Sequence, residues 1–141
     1  MKKPVIISIT GTQDSGDEDV NTIEFITDGQ FQSRTGNHYI TYDETEITGM
    51  EGVSTTVTVE GENKITITRN GKLKSQLILE KGKRHLCPYE TEYGDMIMGV
   101  NTGNIESTLT NKGGSISVDY SLEINHSFAS NNRFEISVKE V

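Results

Sequence analysis

The sequence predicts an all-β domain, built as a barrel or a sandwich, from three observations. Residues 116–124 place large apolar or aromatic side chains at even positions and small polar or acidic ones at odd positions, which is the period of a strand with one buried face. The chain has 15 Ile, 9 Val and 17 Thr but one alanine, a composition that favours strands over helices. Its hydrophobic share of 32% suits a closed barrel with hydroxyl-bearing side chains inside.

Alternating segments of this kind recur along the whole chain, separated by turn residues. They are residues 5–10, 20–34, 38–46, 53–60, 64–69, 73–79, 85–93, 96–109, 115–124 and 134–138. Their number and spacing predict about eight to ten strands. With 141 residues and no linker or internal repeat, we expect residues 1–141 to form a single β-barrel domain.

The segment of residues 20–34 contains Asp28-Gly29 at its centre. This dipeptide is compatible with a hairpin turn or with one long strand interrupted by a glycine bulge. We favour the bulge, because long bent strands help to close barrels. The next strand, residues 38–46, is expected to place Ile40, Tyr42 and Glu44 on one face.

A hairpin is predicted around Asn70-Gly71. A two-residue loop would set Ile67 beside Lys74 on the same face, so the hydrophobic pattern rejects it. A three-residue loop of residues 69–71 instead places Ile67 opposite Leu73 and Ile65 opposite Ser75, which restores one apolar face.

The strand of residues 85–93 can be read with either face inward. Pro88 and the acidic pair Glu90 and Glu92 are better placed outside, on an edge or a bulge. This choice turns the odd-numbered residues inward. Residues 126–132 are expected to connect the strand of residues 115–124 to the last one.

The charge and cysteine content narrow the choice of partners and compartment. Thirteen basic and twenty-one acidic side chains give a net charge of −8, which disfavours nucleic acid and anionic membranes as partners. Cys87 is the one cysteine, so no internal disulfide can form, and the apolar run after Met1 is too short for a signal or membrane-spanning segment. We therefore expect a cytoplasmic protein.

Single residues along the chain are similar in order and spacing to those of the YwiB-like family. They are Tyr42 and Glu44, Arg69-Asn70-Gly71, Thr91-Glu92-Tyr93-Gly94, Thr102, Gly113-Gly114 and Tyr120. This is a family of small uncharacterised bacterial proteins with a calycin-like, lipocalin-related barrel. The resemblance implies a closed or nearly closed antiparallel up-and-down barrel and a bacterial cytoplasmic origin, and it implies no particular activity.

A row of polar side chains shares the inward face of these strands. It consists of Tyr42, Glu44, Arg69, Ser75, Tyr89, Thr91, Tyr93, Thr102 and Tyr120. Hydroxyl donors and one guanidinium would suit a small anionic or hydroxylated ligand. The alternative is a filled barrel, in which buried tyrosines bond to the backbone or to one another.

Arg69 and Glu44 are expected to form an ion pair at one mouth of the barrel. It would either close the barrel end or bind a ligand carboxylate or phosphate. Catalysis is a distant possibility with Glu44 as general base, and no phosphate-binding loop or nucleophile motif occurs.

The three histidines show no metal-ligand spacing, and the lone cysteine does not complete a zinc set. They are His38, His85 and His126. We expect no metal, no cofactor and no catalytic residue.

Charges are segregated along the chain. Residues 64–84 contain seven basic side chains, whereas residues 14–28 and 43–62 contain six acidic ones each. The basic segment has no aromatic residue on which a base could stack, so a nucleic-acid surface is disfavoured. The leading hypothesis is a non-catalytic barrel that binds a small polar or anionic ligand, as a monomer or homodimer. The alternative is a filled barrel that acts as a protein-interaction or oligomerisation module.

Overall fold

The computed structural model describes most of the chain. The described residues are 2–14, 16, 20–45, 51–61, 63–71, 74–91 and 94–141, without the side chains of 89–91. All regular secondary structure in them is β-strand. Within the same ranges there is no helix of the length and hydrophobicity needed to cross a membrane.

Ten strands account for most of the described residues. They are β1 (Lys3–Asp14), β2 (Val20–Arg34), β3 (Asn37–Asp43), β4 (Val53–Glu60), β5 (Lys64–Gly71), β6 (Ser75–Glu80), β7 (Arg84–Thr91), β8 (Gly94–Ser107), β9 (Gly113–Ile124) and β10 (Ser127–Glu140). The predicted all-β class and strand number are confirmed.

The strands form an antiparallel up-and-down barrel. Each strand pairs with the next one in the chain, and β10 returns to pair with β1 from Val5 opposite Glu140 to Asp14 opposite Asn131. The junction of β6 and β7 is thinner, with one paired position, Ser75 and Tyr89, among the described residues. The barrel is therefore nearly closed, as predicted, and its calycin-like relationship stays a prediction.

One half of the barrel interior is filled by hydrophobic side chains. This half, called the closed half below, lies at the end where the odd-numbered strands begin and the even-numbered strands finish. Its fully buried members include Val5, Ile7, Phe31, Ile40, Val59, Ile65, Leu79 and Ile116. They come from seven different strands, because every second residue of a strand points inward. The other end is called the open half.

The prediction of a bulge in β2 is wrong. The β1–β2 register runs without a shift from Lys3 opposite Phe31 to Asp14 opposite Val20, so β2 is one continuous strand. Gly29 is needed there for close packing. A Cβ atom at this position would lie 2.4 Å from the Thr41 carbonyl oxygen and 2.5 Å from the Ile7 Cδ1 atom.

Gly29→Ala is therefore expected to lower the free energy of unfolding by about 1–3 kcal/mol, the usual cost of overpacking. Gly11→Ala is the matched control, because a Cβ at Gly11 would meet nothing within 4 Å. Urea denaturation of the two variants measures the difference. Equal unfolding midpoints for both would show that the backbone at Gly29 yields freely.

The predicted register of the β5–β6 hairpin is also wrong, although its facing is right. Asn70 and Gly71 pair with Ser54 and Val53 of β4, so β5 continues past the expected turn. Ile67 then lies opposite Leu77 and not opposite the predicted Leu73. Leu73 itself is outside the described residues. The shift is an even number of residues, so the same side chains still point inward.

The predicted β9–β10 connection is wrong, whereas the predicted facing of β7 is confirmed. The connection expected at residues 126–132 is instead a tight turn at Asn125 and His126, which both have positive φ, and Ser127 already pairs with Ile124. The facing of β7 is confirmed where side chains are described, because Cys87 is buried and Leu86 is exposed.

Candidate functional site

The open half contains a cavity of about 230 Å³. Its floor is formed by the apolar side chains of Ile9, Val57, Ile67, Leu77 and Ile136, which lie directly above the closed half. Phe25 and Phe134 also line the cavity, and its polar lining residues are Tyr42, Glu44, Arg69 and Tyr120. A mainly apolar wall with a few convergent polar groups is typical of small-molecule sites.

A larger space of about 500 Å³ lies at the outer mouth of the barrel. It is bordered further out by Met96 and Met98, and the residues that it shares with the inner cavity are Gly11, Ile23, Arg69, Leu77, Tyr120 and Phe134. Arg69 thus stands at the boundary between the inner cavity and the mouth.

Strand register explains why several of the polar groups meet. Tyr42 lies opposite Thr55, Thr55 opposite Arg69, and Arg69 opposite Ser75, on consecutive antiparallel strands. Directly paired residues point to the same side of a sheet, so this row is continuous on the inner face. Ser75 is in turn opposite Tyr89, which brings the β7 backbone into the same row.

Glu44 follows the last residue of β3 and remains attached to the sheet. Its backbone N–H donates to the Val53 carbonyl oxygen at 2.8 Å, and its carboxylate accepts a hydrogen bond from the Thr55 hydroxyl at 3.2 Å. The residue is only 6% exposed. Burial raises the pKa of the Glu44 carboxyl, against the opposing effects of the Arg69 charge and the Thr55 hydrogen bond.

The guanidinium of Arg69 makes no hydrogen bond or ion pair with any described residue. Its Nε atom is buried and has no hydrogen-bond partner there. The ion pair expected between Arg69 and Glu44 is therefore absent as a direct contact, although the Arg69 charge lowers the pKa of the Glu44 carboxyl. The Glu44 carboxylate instead accepts a hydrogen bond from Thr55 on the intervening strand.

Two tyrosines line the cavity beside aromatic neighbours. The Tyr42 ring lies 6.4 Å from the Phe25 ring, and the Tyr120 ring lies 6.1 Å from the Phe134 ring, measured between centroids. Burial, with a smaller effect of the Glu44 charge, raises the pKa of Tyr42 to about 12. Burial also raises the pKa of Tyr120. Both phenols are neutral hydrogen-bonding groups at physiological pH.

Thr102 is buried and lies directly opposite Tyr120, but it is not among the residues that line this cavity. Its backbone accepts a hydrogen bond from Gly82 N–H at 2.9 Å and donates one to the Lys83 carbonyl at 3.3 Å, which places it beside the β6–β7 turn. Its hydroxyl has no partner among the described residues.

The side chains of the remaining predicted site residues are not described. The backbones of Tyr89 and Thr91 belong to β7, but their side chains are not described, and Tyr93 lies outside the described residues. Of the eight predicted ligand-binding residues, the structure brings together Tyr42, Glu44, Arg69 and Tyr120 at the inner cavity. Their role in binding stays a prediction.

Thr55 and Gly11 are site residues that the sequence reasoning missed. Thr55 shares its parity with Val53, Val57 and Val59 and is fully buried, so a threonine within a row of inward valines was the available signal. Gly11 lines the cavity, but a glycine in an alternating strand reveals nothing about space around it.

Comparisons with known proteins agree on a family whose activity is not known. A family model described as a domain of unknown function, DUF1934, matches residues 7–136. The uncharacterised β-barrel protein YwiB of Bacillus subtilis (strain 168) is 28% identical over 112 residues, which cover 79% of this chain and 75% of YwiB. The crystal structure of the ywiB protein from Bacillus subtilis superposes with a TM-score of 0.86 and 21% identity, covering 99% of this chain and 93% of that one. The chain therefore belongs to the DUF1934 family.

Proposed function

We propose that this protein binds a small polar or anionic ligand in the open half of its barrel, without catalysing a reaction. The observation that supports this most is Arg69, a cation at the wall of a cavity, with a buried Nε atom that has no acceptor among the described residues. A buried donor without an acceptor costs free energy, so an acceptor that enters the cavity would be favoured at this position.

The surroundings of Arg69 support the same proposal. Tyr42 and Tyr120 line the same cavity, and a phenol hydroxyl can donate or accept hydrogen bonds. Glu44 is fixed by Thr55 and leaves the guanidinium without a direct counter-ion. An acceptor that enters the cavity can therefore take charge-assisted hydrogen bonds from Arg69.

Native mass spectrometry of the protein purified from its own source cells tests the proposal. We expect a non-covalent adduct that is absent from the denatured mass and from Arg69→Met. The loss of the guanidinium should weaken binding by about 30-fold or more, since truncating one partner of a buried charged pair costs about 2–5 kcal/mol.

Arg34→Met is the matched control for this experiment. Arg34 is an exposed arginine at the end of β2, on the opposite end of the barrel from the cavity. It should retain the adduct at the wild-type level. A wild-type protein that shows only its bare monomer mass would contradict the proposal.

An oligomerisation module is the second candidate. Leu86, Pro88 and Ile97 are exposed apolar residues on the outer face, with Pro88 directly opposite Ile97 in the β7–β8 ladder. Adjacent exposed apolar side chains favour a contact with a second copy of the chain. Analytical ultracentrifugation tests this candidate. A wild-type dimer that carries no adduct, together with a monomeric Ile97→Asp variant, would favour oligomerisation over ligand binding.

A further inference from the structure

We infer that the ligand is a compact amphiphilic monocarboxylate, whose carboxylate meets Arg69 and whose apolar body fills the inner cavity below it. This inference rests on the proposed function and names the chemical class that the site would take.

The floor of the cavity calls for an apolar body. Val57, Ile67 and Leu77 lie one inward position deeper than the polar row of Tyr42, Thr55, Arg69 and Ser75 on the same strands. Their side chains contain no polar atom, and Ile9 and Ile136 complete the floor from β1 and β10. A ligand made of polar groups alone would lose its hydration there without gaining hydrogen bonds.

The level of Arg69 calls for a carboxylate. The planar guanidinium presents donors that match the two oxygens of a carboxylate, and the arginine stands where the inner cavity meets the mouth. A ligand can thus place its head at Arg69 and its body on the floor in one pose. The phenol groups of Tyr42 and Tyr120 face the same cavity and can donate to the same head.

The charge of Glu44 argues against a dianion. Its carboxylate lines the same cavity as Arg69, and it is only 6% exposed. A phosphate monoester or a dicarboxylate would place a second negative charge near this group, with one guanidinium to offset it. Among anions, a ligand with a single negative charge is therefore the least repelled by Glu44.

The size of the cavity limits the apolar body. Its volume of about 230 Å³ lies below the roughly 300–1,000 Å³ of sites for drug-sized ligands. The body is therefore of the size of a benzyl or an isobutyl group. A long acyl chain would not fit within the inner cavity, because the closed half is packed beneath it.

Methyl NMR titration of the full chain tests this inference. The reporters are the methyl groups of Ile9, Ile67 and Ile136 on the floor. The probes are phenylacetate and isovalerate, with phenylacetamide as the neutral analogue, acetate as the head without a body, and phenyl phosphate as the dianion. We expect the first two to shift the floor signals and to bind at least tenfold more tightly than the other three.

Two variants and one control accompany the titration. Arg69→Met should lose at least tenfold in phenylacetate affinity and the preference over phenylacetamide, whereas Arg34→Met should behave as the wild type. Gly11→Leu places a side chain into the open space of the cavity and should abolish the shifts while the fold is retained. The methyl spectrum of each variant without ligand reports whether it folds.

The outcomes separate this inference from the proposed function. Equal binding of acetate or phenyl phosphate would overturn the amphiphilic monocarboxylate and leave the anion site in place. Equal binding of phenylacetamide would remove the role of the carboxylate. If neither phenylacetate nor isovalerate shifts a floor methyl, the inference is overturned, and the adduct in native mass spectrometry decides the proposed function independently.

Discussion

Phe31→Ala is expected to lower the free energy of unfolding by about 3–5 kcal/mol, the usual cost of deleting a fully buried aromatic side chain. Phe31 is 0% exposed and has the largest fully buried side chain in the described part of the chain. Its ring stacks on the His38 ring at 5.7 Å between centroids, and its backbone pairs with Ile40 of β3 and Lys3 of β1. The closed half is packed around it, so the cavity left by the substitution would collapse only in part.

Urea denaturation followed by circular dichroism measures this change. Phe128→Ala is the matched control, because Phe128 lies on β10 with 59% of its surface exposed. Its effect should stay within about 0.5 kcal/mol. Similar losses for the two variants would mean that the closed half does not provide the main share of the stability.

A stable closed half has a consequence for the site. Arg69 and Glu44 are both unfavourable in free energy at neutral pH, one through an unpaired buried nitrogen and the other through a buried carboxylate. Native proteins have only about 5–15 kcal/mol of net stability, so such groups persist only where other contacts offset them. The separation of a filled half from a cavity provides that offset within one barrel.

The facing of residues could be predicted from the sequence, because one strand period decides it. The placement of Tyr42, Glu44, Arg69 and Tyr120 on one interior surface follows from alternation alone. The same rule held in β5–β6 although the loop was misjudged, since the error in register was even.

Depth along the barrel could not be predicted in the same way. Thr102 has the inward parity of the site residues and lies directly opposite Tyr120, but it is not among the residues that line the cavity. Parity says which way a side chain points and not how far it lies from the mouth. Parity also does not reveal that Glu44 contacts Thr55 on the intervening strand and not Arg69.

The position of the boundary between the filled interior and the cavity could not be predicted from the sequence either. It depends on whether side chains from opposite walls meet across the barrel. Gly11 shows the difficulty, because the open space beside it is created by strands that are distant in sequence. The sequence left two alternatives, a filled barrel and an open lumen. The first describes the closed half of the molecule, and the second describes the open half.

Glu44→Gln is expected to make the protein more stable than the wild type at pH 7. Burial raises the pKa of the Glu44 carboxyl above its ordinary value of 4.5, although the charge of Arg69 and the hydroxyl of Thr55 favour the ionised form. Glutamine has the same shape and can still accept the hydrogen bond from Thr55. It removes a buried negative charge, and the direction of the pKa shift shows that burial outweighs the attraction to Arg69.

The sign of the pH dependence follows from the raised pKa. Between pH 4.5 and the raised pKa, the folded protein binds the Glu44 proton more tightly than the unfolded chain does. The contribution of Glu44 to stability is therefore fully present below pH 4.5 and is lost as the pH rises through the folded pKa. The loss cannot exceed about 1.4 kcal/mol per pH unit for one group.

Urea denaturation of wild type and Glu44→Gln from pH 4 to pH 8 measures this difference. Subtracting one curve from the other removes the titration of the other carboxylates, so the remaining difference should be near zero at pH 4 and should increase in favour of glutamine towards pH 7. Glu24→Gln changes the same charge at an exposed position on β2 and should show no comparable increase. A Glu44→Gln variant that is less stable than the wild type at pH 7 would show that the attraction between Glu44 and Arg69 outweighs burial. In that case the guanidinium would be satisfied by Glu44 and would have no need of an anion from outside.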